Sequence, residues 1–438
     1  MTSLYANGLQ RNEQTMKVLI VNTSEKIGGA AIAASRLTSA LQNCDIQATM
    51  LVRDKQTEQK QIIGLKKTVK KDVLFFWERF IIWTRNLFST KNLFKVSIAN
   101  TGFDITKLKE FKEADIIHLH WINQGMLSLK NIEKIFSSGK PVVWTMHDMW
   151  PCTGICHHAY SCDHFKEACK NCNFLRFPAT NDLANKVFTA KKRIYETAPL
   201  NIVTVSKWLA NKTKESALLK NKPVTIIPNT LSLSEFKILD SDKSRLSLKL
   251  PKNKKIILFG AARIDDPIKG FDMLLESIKY LTNNGYYTKD ELHLLTFGTF
   301  KYPKEYVNKI PITHTNMGWI KENSTLSKLY SAADITVSAS LYETFGQTLI
   351  EAQACGCIPV SFNNSGQTDI INHKINGYLS EYLSIESLAK GIIWGLTEGK
   401  KIDKHKLRNE VVDKFSEETV ALQYIKLYKE ILERQEAD

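Results

Sequence analysis

A chain of 438 residues, 43% hydrophobic and 24% charged, is long enough to bury two cores. It holds no run of about 20 uncharged apolar residues, which excludes an ordinary membrane-spanning helix. Its 60 Lys and Arg against 45 Asp and Glu leave a net charge of +15, favouring an anionic membrane surface, a charged small substrate or a nucleic acid; with no arginine-rich arm and no nucleic-acid motif, nucleic acid is set aside.

Residues 1–15 lack the apolar centre of a secretory signal and read as a ragged tail on a cytoplasmic protein. The run KVLIVN (17–22), the pair Gly28 and Gly29, and an alanine-rich stretch to Leu41 open a strand–loop–helix unit. The two glycines stand where a loop approaches phosphates, although SEKIGGAA is not the G-x-G-x-x-G of a dinucleotide site. Short apolar runs recur at 48–53, 115–120, 141–147 and 201–206, which predicts a parallel sheet covered on both faces.

Between these runs, residues 66–96 interleave Lys66, Lys67, Lys70, Lys71, Arg79, Arg85, Lys91 and Lys95 with Phe75, Phe76, Trp77, Phe80, Trp83, Phe88 and Phe94. One or two amphipathic helices are expected. Either the aromatics face the core and the lysines face water, or the helix lies on anionic lipid.

His118 and His120 fall within a predicted strand and read as buried histidines satisfied by hydrogen bonds. His147 and Asp148 end the next strand, where doubly wound sheets build ligand sites. The adjoining segment holds Cys152, Cys156, Cys162, Cys169 and Cys172, with His157, His158 and His164 among them. Without a sign of secretion, such a cluster points to metal before disulfides. Cys156, Cys162, Cys169 and Cys172 could close a structural zinc site; unliganded thiols, disulfides and an iron–sulfur cluster stay open. Coming directly after His147, this loop is expected to shape an acceptor site.

Residues 231–254, rich in lysine and serine, read as a linker between domains at 16–230 and 255–415. Asp240 and Asp242 within it mimic a metal-binding D-x-D but are expected in solvated loop, so no catalytic divalent ion is predicted. A second strand series runs through 255–261, 293–298, 334–340 and 357–362. Residues 416–438 form a closing helix with apolar spacing at Val420, Leu422, Tyr424, Ile425, Leu427, Tyr428 and Ile431, expected to dock back on the first domain.

The strongest pattern is ETFGQTLIEAQACGCIPV, with Glu343 in a loop and Glu351 two helical turns on. This run resembles the E-x7-E signature of retaining family-four glycosyltransferases. The resemblance implies the α/β GT-B fold, two doubly wound Rossmann-like domains facing a central cleft. It places Glu343, Phe345 and Gly346 against donor sugar and phosphates, Glu351 on the ribose hydroxyls and His147 beside the sugar. Gly28 and Gly29 then face the donor phosphates across the cleft. Arg263 and Lys269, after the strand KIILFGAAR, match the pair that neutralises a departing diphosphate. Gly366 and Asp369, with Pro228-Asn229-Thr230, depart from the family's usual downstream elements.

The implied activity is retaining, metal-independent hexosyl transfer from a UDP- or GDP-sugar to a saccharide or lipid-linked saccharide, in surface polysaccharide synthesis; the basic aromatic helices, where they lie on lipid, put it at the inner face of the plasma membrane. No cofactor is required for catalysis; a structural zinc in the cysteine-rich loop stays open. The rival reading is a non-catalytic sugar-nucleotide-binding scaffold of the same fold; Arg263, Lys269, Glu343 and Glu351 together argue against it.

Overall fold

The computed structural model describes residues 15–65 and 69–437; residues 1–14, Lys66 and Lys67 lie outside the described residues, as do the side chains of Lys70 and Lys71. The first lobe is built on strands β1 (Lys17–Ser24), β2 (Gln47–Asp54), β3 (Ile62–Gly64), β4 (Ile116–Leu119), β5 (Val142–Met146), β6 (Leu200–Thr204) and β7 (Val224–Ile226). They lie in the order β3-β2-β1-β4-β5-β6-β7, every pairing parallel. The order reverses between β1 and β4, the switch point at which open α/β sheets bind ligands beyond their carboxyl ends. All residues of β4 and β5 are buried, which is why the central strands read as unbroken apolar runs.

The second lobe repeats the plan with β8 (Lys255–Arg263), β9 (Leu292–Thr299), β10 (Thr313–Asn316), β11 (Ile335–Ser338), β12 (Ile358–Phe362) and β13 (Tyr378–Ser380), in the order β10-β9-β8-β11-β12-β13. Its pairings too are all parallel. Strands β3, β7, β10 and β13, which the apolar runs did not announce, are short and peripheral; β10 (THTN) carries no apolar residue at all.

Among the helices packed on the two lobes are α1 (Gly29–Asn43), α2 (Val69–Arg85), α3 (Lys207–Glu215), α4 (Ser241–Ser247), α5 (Phe271–Asn283), α6 (Gln347–Ala354) and α7 (Glu417–Ala437). Among the described residues no helix is long and apolar enough to cross a membrane.

The stretch 231–254 is packed structure. Asp240, expected in solvated loop, caps α4 by accepting the Lys243 N–H at 2.7 Å. Arg245 on that helix is held by the Ala332 carbonyl and the Asp334 carboxylate, each at 2.9 Å. Leu231, Phe236 and Leu250 are buried, spaced apolar anchors that the lysine-rich composition hides. The chain crosses between lobes twice at one place, where the Leu231 N–H donates to the Phe415 carbonyl at 2.8 Å. After the second crossing α7 lies on the first lobe: Val420, Ala421, Tyr424, Leu427, Tyr428 and Ile431 share a core with Val18 and Ile20 of β1 and Ala34, Leu37 and Leu41 of α1. Leu422, on the predicted apolar stripe, points to solvent.

Candidate functional site between the lobes

The carboxyl ends of the two sheets meet through a small set of contacts. Thr344 donates its hydroxyl to the His147 carbonyl at 2.9 Å, and Gln347 donates to the Gly29 carbonyl at 3.0 Å. The Tyr342 ring packs against Trp208 at 4.9 Å, His158 at 5.4 Å and Tyr160 at 5.7 Å. Asp369, one of the departures from the family pattern, accepts the Lys207 N–H at the start of α3.

On the second lobe, β8 delivers Arg263 after a register shift beginning at Gly260. The guanidinium is 47% exposed and pairs with Asp266 at 2.9 Å. A short turn then presents Lys269, and Gly270 opens α5 at φ 68°; a Cβ there would lie 1.9 Å from the Ala339 carbonyl oxygen, so only glycine fits. The Lys269 ammonium lies 2.6 Å from Glu343 Oε1, which also accepts the Ser340 hydroxyl at 2.9 Å. Glu343 is fixed through its backbone as well, its N–H donating to Ser365 Oγ and its carbonyl accepting from the Gly366 N–H.

Gly346, at φ 114°, begins α6, whose first turn has neither a side-chain cap nor an acidic residue. Such an N-terminus presents free N–H groups and partial positive charge to an anion. The Phe345 ring does not line this turn; it is buried and meets Phe415 at 5.7 Å, at the crossing between lobes.

Glu351, on the same helix, is buried with both oxygens engaged: Oε1 by Arg36 of α1 at 2.9 Å, Oε2 by the Tyr330 hydroxyl at 3.1 Å. The Arg36 guanidinium also lies over the Phe236 ring, 5.2 Å from its centre. Neither Arg36 nor Tyr330 was singled out from the sequence. A signal existed for Arg36, a charge set in the apolar stripe of α1 beside Ala33, Leu37 and Ala40, which has to find a buried carboxylate.

On the first lobe, His147 Nε2 bonds to His120 Nδ1 at 2.8 Å, leaving its backbone carbonyl to meet Thr344. Burial pushes His147 down to about 4 and His120 well below its ordinary value. His118 is pushed to about 3 and bonds with Thr145 and with Tyr428 of α7, each at 2.7 Å. Burial works against the charge of Asp148, but His157, 2.6 Å away, and the Trp150 N–H bring its carboxyl down to about 2. Asp148 also accepts the Trp121 indole N–H at 2.7 Å, tying the cysteine-rich loop to the cleft wall.

His158, in that loop, is a cleft residue that sequence reasoning passed over. Burial lowers it, and among the charges it feels are Glu343 and Lys269 from the opposite lobe. Its Nδ1 is buried with no hydrogen-bond partner among the described residues.

The cysteines are free thiols. Cys156 and Cys169 are buried, Cys162 and Cys172 partly so, and Cys169 Sγ accepts the Gly154 N–H at 3.1 Å. Burial raises Cys169 to about 11, Cys172 to about 12 and Cys156 further, with neighbouring thiols of the same four adding to the rise. Among the described residues no three His, Cys, Asp or Glu side chains are arranged to hold a metal ion.

Two family models match the chain in tandem, Glycosyltransferase Family 4 over residues 27–235 and Glycosyl transferases group 1 over residues 240–412. An uncharacterized glycosyltransferase of Methanocaldococcus jannaschii is 24% identical over 77% of this chain and 90% of its own length. The capsular polysaccharide biosynthesis glycosyltransferase CapM of Staphylococcus aureus is 24% identical over 54% of this chain and 63% of its own. Anabaena HepE, solved with UDP and glucose, superposes with a TM-score of 0.61 at 15% identity, covering 95% of this chain and all of that one. With its two parallel sheets meeting at a cleft, the chain is a GT-B-fold protein related to the glycosyltransferases of group 1 and family 4.

Proposed function

We propose that the protein transfers a sugar, with retention and without a catalytic metal, from a UDP- or GDP-sugar to a saccharide or lipid-linked saccharide of a surface polysaccharide. The observation that carries this reading is the grouping of Arg263, the Lys269–Glu343 pair and the uncapped start of α6 on one lobe, opposed by Gly29, His147 and His158 on the other. Breaking a sugar–phosphate bond leaves charge on the diphosphate. Two cations and a row of N–H groups fixed beforehand stabilise it without reorganisation. Glu343, freed from Lys269 as the phosphates take the ammonium, would orient the sugar; closure of the lobes excludes water. Glu351 would meet the ribose only if Arg36 or Tyr330 releases an oxygen. The HepE complex with UDP and glucose supports the donor class, and the name of CapM supports the pathway.

For the loop beside the cleft the proposal is a structural zinc on Cys156, Cys162, Cys169 and Cys172, supported by the clustering of four free thiols in one loop. Their side chains would have to converge on the ion. One zinc per chain by elemental analysis is the expected result; a metal-free, fully folded protein would refute it.

Thermal unfolding with UDP-, GDP- and ADP-sugars tests the donor site. A ligand at 100 times its Kd adds about 2.7 kcal/mol of stability. One nucleotide class should raise the midpoint, and Arg263→Ala should abolish the rise. If no nucleotide sugar moves it, the donor-site reading fails.

A further inference from the structure

Helix α2 exposes rings while burying charge. Beside buried Ile82, its inward face carries an ion pair: Glu78 is fully buried, accepting the Ile98 and Ala99 N–H groups at 2.8 and 2.9 Å and pairing with Arg79 at 2.9 Å. Arg79 in turn donates to the Leu93 and Val96 carbonyls. The outward face carries the rings, with Phe76 65% exposed, Trp77 52% and Phe80 47%. The residues Val73, Phe76, Trp77 and Phe80 recur at helical spacing, so the exposed apolar stripe is continuous along one side.

Past the helix end the patch goes on. Trp77 stacks on Phe80 at 5.7 Å, Phe80 meets Trp83 at 6.0 Å and Trp83 meets Phe88 at 4.8 Å. Arg176 donates to the Leu87 carbonyl at 3.2 Å, tying the segment that carries exposed Phe177 to the turn that carries exposed Phe88. Isolated exposed rings are ordinary on a protein surface, but a contiguous patch of this kind marks a docking face. Its charged rim is basic: Arg85, Lys91, Lys95 and Arg176 are exposed, against Asp72 at the far end of the helix.

We propose that this face docks the protein on an anionic membrane surface, with Phe76, Trp77, Phe80 and Phe88 entering the headgroup region and the rim meeting lipid phosphates. Charge decides among the occupants. Two copies joined at this face would oppose like-charged rims on molecules of net charge +15, whereas an anionic leaflet complements them. The docked face connects to the cleft through the cysteine-rich loop, where Tyr160 touches Phe174 at 6.1 Å and Tyr342 at 5.7 Å. An acceptor held in the membrane would thus be presented near the acceptor side of the cleft; that consequence rests on the transfer reaction proposed above, while the docking does not.

The test is co-sedimentation of the full chain with neutral phosphatidylcholine vesicles and with vesicles containing about 30% phosphatidylglycerol, at low and high salt. Binding should favour the anionic vesicles at least about tenfold and weaken with salt. The double variant W77S/F80S should lose about tenfold or more, and R85E/K91E should lose the anionic preference, both with unchanged unfolding temperature and nucleotide-sugar binding. Unchanged donor binding separates a failure of docking from a failure of the donor site. The proposal is overturned if the wild type ignores anionic vesicles at low salt, if W77S/F80S binds them equally, or if the wild type forms a dimer that W77S/F80S abolishes without binding vesicles.

Discussion

Lys269 and Glu343 are each other's counterions at 2.6 Å while both remain partly open to solvent, so their pairing contributes little stability and can be exchanged for a phosphate. Lys269→Ala and Arg263→Ala should therefore lower turnover by about 100- to 1,000-fold while shifting stability by less than about 1 kcal/mol, read by initial rates and urea denaturation on the same samples. The pair Arg36–Glu351 is the opposite case. Both partners are buried, so Arg36→Ala leaves a carboxylate without its cation and should cost about 3–5 kcal/mol, whereas R36M/E351L should recover most of that stability in the same denaturation. The motif made Arg263, Lys269, Glu343 and Glu351 visible before any coordinates. Arg36, 315 positions from its partner, has only its misplaced charge to betray it. For His158, one histidine among three in its loop, the sequence carries no distinguishing mark, because Tyr342, Glu343 and Lys269 of the other lobe complete its surroundings.

Helix α7 is held to the first lobe by apolar packing and by two hydroxyls, Tyr428 to His118 and Tyr424 to Thr145 at 2.9 Å. Tyr428→Phe keeps the ring but strips a buried imidazole nitrogen of its partner, a loss of about 1–3 kcal/mol measurable by urea unfolding. The same histidine makes the fold sensitive to acid. His118 titrates near 6.5 when unfolded and is pushed to about 3 by burial. The unfolded chain therefore takes up the proton first. Its contribution is fully present above about pH 6.5 and is lost as pH falls toward 3, amounting to about 2 kcal/mol by pH 5. His147, at about 4, acts in the same direction. Urea midpoints at pH 7.5 and 5 should show this loss, and His118→Asn should reduce the slope. The docking of α7 was legible in outline from its apolar spacing, whereas the orientation of helix α2 was not: a pattern of lysines and aromatics fits a helix facing either way. Burial of Ile82, together with Glu78 and Arg79 held on loop N–H groups and carbonyls, sets the face that leaves these rings outward.

Across the whole molecule the lobes are joined at two adjacent crossings, and over the cleft by hydrogen bonds, the buried Arg36–Glu351 pair and the rings around Tyr342. Tyr342 bridges the lobes through three ring contacts. Tyr342→Ala should let the lobes part, raising the radius of gyration in small-angle scattering and increasing donor hydrolysis relative to transfer as water enters. Two repeated series of buried strands, a glycine-led turn after β1 and the spacing of Glu343 and Glu351 are local patterns, set by backbone periodicity and by steric demands within a few residues. They suffice for two doubly wound lobes and a cleft. The short edge strands, the partner of Glu351 and the outward rings of α2 arise from pairings between residues far apart in the chain. Such pairings are chosen by burial and charge compensation in the folded state, and they leave almost no trace in the order of the amino acids.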